Sequence, residues 1–130
     1  MKRTVKIYPF PIQMTSSENH SALDPQCGSV IEFRGHVRGD EAGSKITGIH
    51  YQAFEDMAHR QFELILDVVE NTWPIEEIVI HHVFGKVPVG EPSIWVKVIS
   101  GHRKEGFEAI QFLLSQMKIK VPIWKAPIKS

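Results

Sequence analysis

A histidine, two arginines and two lysines in this sequence are placed where they could hold an anion and move protons on it. His102 and Arg103 stand side by side in SGHRKEGFEAIQFLLSQMKIKVPIWK, at the start of a run with helical periodicity. A helix N-terminus offers free backbone N–H groups and the positive end of the helix dipole, so it already favours negative charge. A cation there opposes the dipole, and a bound phosphate or carboxylate would give it a reason. The plainer reading is a pair of solvated helix-start residues, with Ser100 or Gly101 opening the helix. Lys118 falls on the polar stripe of the same run, where a lysine is ordinarily solvated. Lys125 sits between Trp124 and Ala126 in a proline-punctuated apolar tail. Packing of that tail would strip its hydration and make its ammonium a usable proton donor or acceptor near neutral pH. Phe33 and Arg34 lie on an earlier strand. Arg38 follows at its end beside the loop GDEAGS, where its guanidinium fork could reach an anion or simply face water.

Other chemistries lack their patterns. Of the seven histidines, His81 and His82 are adjacent in a strand and point to opposite faces, so they cannot easily share a metal. His36, His50 and His59 are scattered, and no HxH, HExxH or CxxC spacing occurs, so no metal site is expected. No Walker A or GxGxxG pattern is present either. Cys27 lacks the flanks of a catalytic nucleophile and reads as an inert thiol. As the single cysteine it cannot form an internal disulfide, which fits a reducing compartment. Fifteen basic and fifteen acidic residues cancel, so nucleic-acid binding is not expected and any anion site must be local. No run approaches the roughly 20 apolar residues of a membrane span. The start, MKRTVKIYPFPI, lacks the apolar stretch of a signal peptide. The expectation is one soluble, cytoplasmic domain over residues 1–130, with no membrane partner.

These side chains must be positioned by the elements around them. Residues 3–8 read as a strand stopped by Pro9 and Pro11, and 12–27 as loop. Residues 28–38 alternate Val30, Glu32 and Arg34 against Ile31 and Phe33, a strand. GDEAGS follows as a loop or hairpin tip, then a strand over 45–54. From Glu55 to Trp73 the period becomes helical, with Ala58, Phe62, Ile65, Val69 and Trp73 on one face, and Pro74 ends the helix. Residues 77–83 form a strand, Gly85, Pro88 and Gly90 mark turns, and 93–100 form another strand. Residues 103–120 form the second helix, with Phe107, Ile110, Leu114 and Met117 facing the core. Its polar stripe holds Lys104, Glu108, Gln111, Ser115 and Lys118, and an extended tail follows. Hairpin-joined strands with two main helices argue an α+β fold with antiparallel strands. Val83, Phe84, Val87 and Val89 look too apolar for a small monomer's surface and suggest a partner.

Several segments together resemble the large, catalytic subunit of molybdopterin synthase, the MoaE family. They are Phe33-Arg34-Gly35-His36-Val37-Arg38, Tyr51 to Ala58 (YQAFEDMA), Gly85 to Glu91 (GKVPVGE), and His102-Arg103 followed by Phe107-Glu108-Ala109, Lys118 and Val121-Pro122-Ile123-Trp124-Lys125. They occur in the family order over roughly residues 28–125. The resemblance implies an α/β-hammerhead fold. It also implies a homodimer that docks two small ubiquitin-like sulfur-carrier (MoaD-like) subunits, making a heterotetramer. Each carrier would bring a C-terminal Gly-Gly thiocarboxylate. The substrate would be cyclic pyranopterin monophosphate (precursor Z), which receives two sulfurs and becomes molybdopterin, with no metal and no cofactor needed. The resemblance makes Phe33 and Arg38 pocket residues, His102 and Arg103 anion binders, and Lys118 and Lys125 the catalytic lysines.

The chain departs from the family pattern at three places. Gln52 and Phe54 stand where Glu and Tyr are usual. Ser115 or Gln116 replaces an acidic residue before the helix lysine. The usual WK-x-E continuation is Trp124-Lys125-Ala126-Pro127, and the family's C-terminal extension does not follow Ser130. These changes leave a second reading open, a non-catalytic carrier- or anion-binding module with the same fold.

Overall fold

The computed structural model describes residues 1–15, 18 and 22–130. Its spine is the fourteen-residue strand β5 (Ile75–Pro88). The first part of β5 pairs antiparallel with β6 (Pro92–Ser100), and β6 carries β2 (Ser29–His36) on its other side. On the opposite edge β5 pairs with β1 (Lys2–Pro9), from Lys2 opposite Glu77 to Pro9 opposite Phe84, in the one parallel pairing among the described residues. Past Gly85 the same strand leaves these neighbours and pairs with β4 (Ser44–Ala53). The far edge of β4 binds β7 (Ile123–Lys129), and the two-residue strand β3 (Asp40–Glu41) hairpins onto the start of β4. The seven strands make one mostly antiparallel sheet with two helices, α1 (Glu55–Thr72) and α2 (Arg103–Lys120), as the α+β reading expected.

Two strand assignments differ from the sequence reading. Gly85 was expected to turn the chain, but β5 runs through it to Pro88. Gly85 takes φ 89°, a conformation that costs a side-chain-bearing residue energy, and so lets the strand bend from one neighbour set to the next. The true turn lies beyond it, where Glu91 N–H donates to the Pro88 carbonyl at 3.1 Å. The C-terminal tail is a full strand despite Pro127. Proline cannot donate to a ladder, but β7 is an edge strand, where a missing donor is tolerated.

Both helices contribute to one core, packed against β5 and β6. Ala58, Phe62, Ile65 and Val69 of α1 are buried as the helical period required, joined by Leu66, while Trp73 is only partly covered. The contact face of α2 is turned from the expected one. Gly106, Ala109, Ile110 and Leu113 are buried, Leu114 and Met117 only partly so, and Phe107 is 57 % exposed. Small residues explain the rotation. A Cβ at Gly106 would lie 2.8 Å from Ile31 Cδ1, so the helix sits close against β2 through the position with no side chain. The polar stripe from Lys104 to Lys118 is exposed as expected.

A second core cluster joins the two parts of the sheet through Val37, Ile46, Ile49, Val83 and Val87. Val83 and Val87 are fully buried within the single chain, which corrects their assignment to a partner surface. Only Val89 of that run is clearly exposed. His81 and His82 do point to opposite faces. His81 is buried between Tyr8 Oη (2.6 Å from Nδ1) and Glu18 Oε2 (2.8 Å from Nε2), while His82 lies against Tyr51. No helix is long and apolar enough to cross a membrane among the described residues.

Candidate active site

The end of β2, the last turns of α2 and the start of β7 enclose a cleft of about 490 Å³. Its walls carry Phe33 and Arg38 from β2 and the residues after it, Lys118 from α2, and Lys125 from β7. Gly35 makes room for the apolar wall. A Cβ there would lie 2.7 Å from Ile94 Cγ2, too close without a shift, while the Phe33 ring at 3.4 Å would be in ordinary contact. Lys118 sits in the final turn of α2, where the negative end of the helix dipole favours its charge. An adjoining cleft of about 410 Å³ shares Lys118, Lys125 and Tyr51 and is floored by His82.

Lys125 was expected to be dehydrated by an apolar tail. Instead its side chain is 54 % exposed, and its Nζ lies 3.5 Å from Glu41 Oε1. The reason is topological: β7 is an edge strand, so its outer residues face water and the hairpin opposite rather than a core. The indole of Trp124 is also exposed and meets Phe54 edge-on at 5.0 Å. At the departures from the family pattern, Pro127 pairs with Ile49 and brings no carboxylate, and the acid facing Lys125 is that of Glu41. Ser115 lines the cleft as a neutral hydroxyl.

His102 and Arg103 are not in this cleft. They lie at the opposite end of α2, about 22 Å along the helix axis from Lys118, and both are exposed. Their opposition to the helix dipole is met locally. Glu105 Oε1 accepts the His102 backbone N–H at 3.0 Å, and its carboxylate lies 3.4 Å from His102 Nδ1. Backbone N–H bonds, its own and then that of His102, hold the Glu105 carboxyl below its ordinary range. Ser100 takes part in the helix opening, its hydroxyl donating to the His102 carbonyl at 2.7 Å.

Four residues that shape the clefts carried no assigned role in the sequence. Glu41 was hidden inside a loop reading. Tyr51 and Ser93 meet through a 3.2 Å hydroxyl–hydroxyl bond, on strands far apart in sequence. His82 is the third floor group. Its Nδ1 lies 2.9 Å from the Val83 carbonyl, an acceptor only, which places the ring proton on Nδ1. Burial lowers its pKa to about 4, so it is neutral across the physiological range. Cys27 is partly covered, and burial followed by Glu76 and Asp24 raises its thiol pKa, which keeps it protonated and unreactive. No group of three histidine, cysteine or acidic side chains is arranged to hold a metal among the described residues.

Known proteins share both the sequence and the fold. The family model described as MoaE protein matches residues 9–120. The molybdopterin synthase catalytic subunit of Homo sapiens is 36% identical over 106 residues, 82% of this chain and 56% of the human protein. That of Arabidopsis thaliana is 38% identical over 104 residues, 80% of this chain and 52% of its own. The chain therefore spans about half the length of these curated relatives. The crystal structure of molybdopterin synthase from Staphylococcus aureus superimposes with a TM-score of 0.85 at 30% identity, covering 96% of this chain and 90% of that one. With matching sequence over most of its length and a matching fold, this chain belongs to the MoaE family.

Proposed function

We propose that this protein is a sulfurtransferase, the catalytic subunit of a molybdopterin synthase acting in the cytoplasm. A thiocarboxylate at the Gly-Gly end of a small carrier protein would deliver sulfur to cyclic pyranopterin monophosphate in the cleft. The observation that carries this reading is the convergence of Arg38, Lys118 and Lys125 from three separate elements on one cleft. Its volume lies in the range of small-molecule sites. The guanidinium of Arg38 offers a planar fork of donors to a phosphate, and the Phe33 ring offers an apolar wall to a flat pterin. As sulfur leaves the thiocarboxylate, charge collects on the acyl oxygen and protons must move. Ammonium groups aimed at that point stabilise the one and supply the other.

His102 and Arg103 would serve the same substrate only from a second copy, since one chain holds them about 22 Å from Lys118. Among the described residues β2 is a free sheet edge, and Val30, Phe33 and Phe107 are exposed beside it. Ser29 pairs with Ser100 at one end of β2, next to His102, while Arg38 follows its other end. Two copies docked antiparallel along this edge would therefore bring His102 and Arg103 of one towards the Arg38 end of the other. We place a homodimer at this edge and two carriers at the two clefts.

The test is an assay with precursor Z and thiocarboxylated carrier, scored for molybdopterin. The wild-type protein should form it. Lys118→Ala and Lys125→Ala should still bind carrier but lose about 10²-fold in turnover, the typical share of general acid–base catalysis. Arg38→Ala should weaken pterin binding by about 1.5–3 kcal/mol. A wild-type protein that binds carrier and pterin without ever transferring sulfur would leave the non-catalytic module as the correct reading. Light scattering that returns only a monomer at micromolar concentration would remove the dimer.

A further inference from the structure

We infer that Glu41 is a positioning residue for Lys125, holding its ammonium at the cleft until an anionic ligand displaces the carboxylate. The inference rests on the functional reading above. The β3–β4 hairpin fixes where Glu41 points. Asp40 pairs with Lys45 and Glu41 with Ser44, and Ala42 (φ 52°) and Gly43 (φ 82°) make the turn between them. The turn is tied by Gly43 N–H donating to Asp40 Oδ1 at 3.0 Å and by Ile46 N–H donating to the Gly39 carbonyl at 3.1 Å. Alternation along β3 leaves Asp40 exposed and turns Glu41 towards the cleft, where its side chain is 26 % exposed.

Lys125 arrives from the other side. It is paired with Tyr51 on β4, and its Nζ ends 3.5 Å from Glu41 Oε1. A half-exposed lysine has a flexible four-carbon stem and would otherwise sample many rotamers. Arg38 and Lys118 line the same cleft, and among the described residues neither has a carboxylate within 4.0 Å. The three cations are therefore unequal. Two are open to a ligand, and the third is already engaged by an acid of the protein.

An entering phosphate or thiocarboxylate meets this acid in two ways. It is repelled by the Glu41 carboxylate and competes with it for Lys125. Until then, the same carboxylate keeps Lys125 over the cleft. Removing it should have effects of opposite sign, weaker positioning and tighter anion binding, a combination that mere loss of structure does not produce.

The test compares wild type, Glu41→Gln, Glu41→Asp and Lys125→Ala, each checked for an unchanged circular dichroism spectrum. Glu41→Gln should lower kcat about 3- to 5-fold and lower KM for the pterin by a similar factor, the range expected of a partly exposed ion pair. Glu41→Asp, which keeps the charge on a shorter arm, should restore part of kcat. In the Lys125→Ala background Glu41→Gln should cause no further fall in kcat, because the group it positions is gone. Calorimetry with inorganic phosphate supplies a readout that needs no turnover: Glu41→Gln should bind it about 3- to 5-fold more tightly than wild type. Unchanged kcat, a rise in KM, additivity with Lys125→Ala, or equal or absent phosphate affinity in both proteins would overturn the role of Glu41. If wild type shows no sulfur transfer but Glu41→Gln still tightens phosphate, the functional reading fails and the Glu41–Lys125 pairing stands.

Discussion

Acidification should destabilise this protein through His82 before most of its carboxylates respond, and the size of the effect follows from where that ring sits. His82 is 5 % exposed at the floor of the second cleft, with its Nδ1 proton on the Val83 carbonyl and Tyr51 packed edge-on at 5.5 Å. Lys118 and Lys125 line the same cleft, so positive charges also face it. Burial lowers its folded pKa from 6.5 to about 4. The unfolded chain therefore takes up a proton that the folded chain refuses. The stability tied to the neutral ring is fully present above pH 6.5 and is lost as pH falls towards 4. Linkage between these two values gives a loss of about 2 kcal/mol on going from pH 7.5 to pH 5. His82→Asn isolates it, because the asparagine amide can still donate to Val83 but does not titrate. Urea unfolding at both pH values should show wild type losing about 2 kcal/mol more than the variant, the other six histidines cancelling in the difference. Parallel pH dependence in the two proteins would mean that the ring is not held neutral, and the description of the cleft floor would be wrong.

Glu18 gives a second, more acid window. Burial would raise its carboxyl, but Thr15 and His81 outweigh this and bring it from 4.5 to about 2, so its contribution is present above pH 4.5 and lost towards pH 2. Glu18→Gln should cost about 3 kcal/mol at pH 7, with the gap to wild type closing near pH 2 in urea titrations. Phe62→Ala, at a fully buried position, should cost about 3–5 kcal/mol by chemical denaturation. Gly35→Ala should cost about 1–3 kcal/mol through the close contact with Ile94, read by urea unfolding of the purified variant.

The elements that were legible in the sequence are those whose signals are local. Pro74 closes α1 and the apolar period fixes its buried face, so helix and contact residues agree with the structure. The face of α2 differs from the one apolar size suggests, because Gly106 makes the close approach, Ala109 is buried beside it and Phe107 is left outside. β5 was cut short because Gly85 and Pro88 carry turn chemistry in isolation. Only the ladder with β4, a partner 34 or more positions away in the chain at every pair, makes them strand. The cleft followed the same division. Phe33, Arg38, Lys118 and Lys125 were found as residue types at suggestive places, and the fold does bring these four together. Glu41 could not be found, since its partner is set by β3, β4 and β7 lying side by side.

Helix α2 carries candidate cations at both ends, and the physics of the two ends differs. At its C-terminal end Lys118 is favoured by the dipole and looks into the cleft of its own chain. At its N-terminal end His102 and Arg103 are disfavoured by the dipole, offset by Glu105, and turned to water. His102 and Glu105 form a capping box there, so the helix start is satisfied within its own chain. One chain can bring only the first set to a ligand. If both sets act on one anionic substrate, the site is shared between chains. An Arg103→Ala chain mixed with a Lys118→Ala chain should then recover activity that neither homodimer shows, because one of the two clefts in the mixed dimer would hold both groups intact. Absence of recovery in dimers proven to be mixed would confine the chemistry to a single chain.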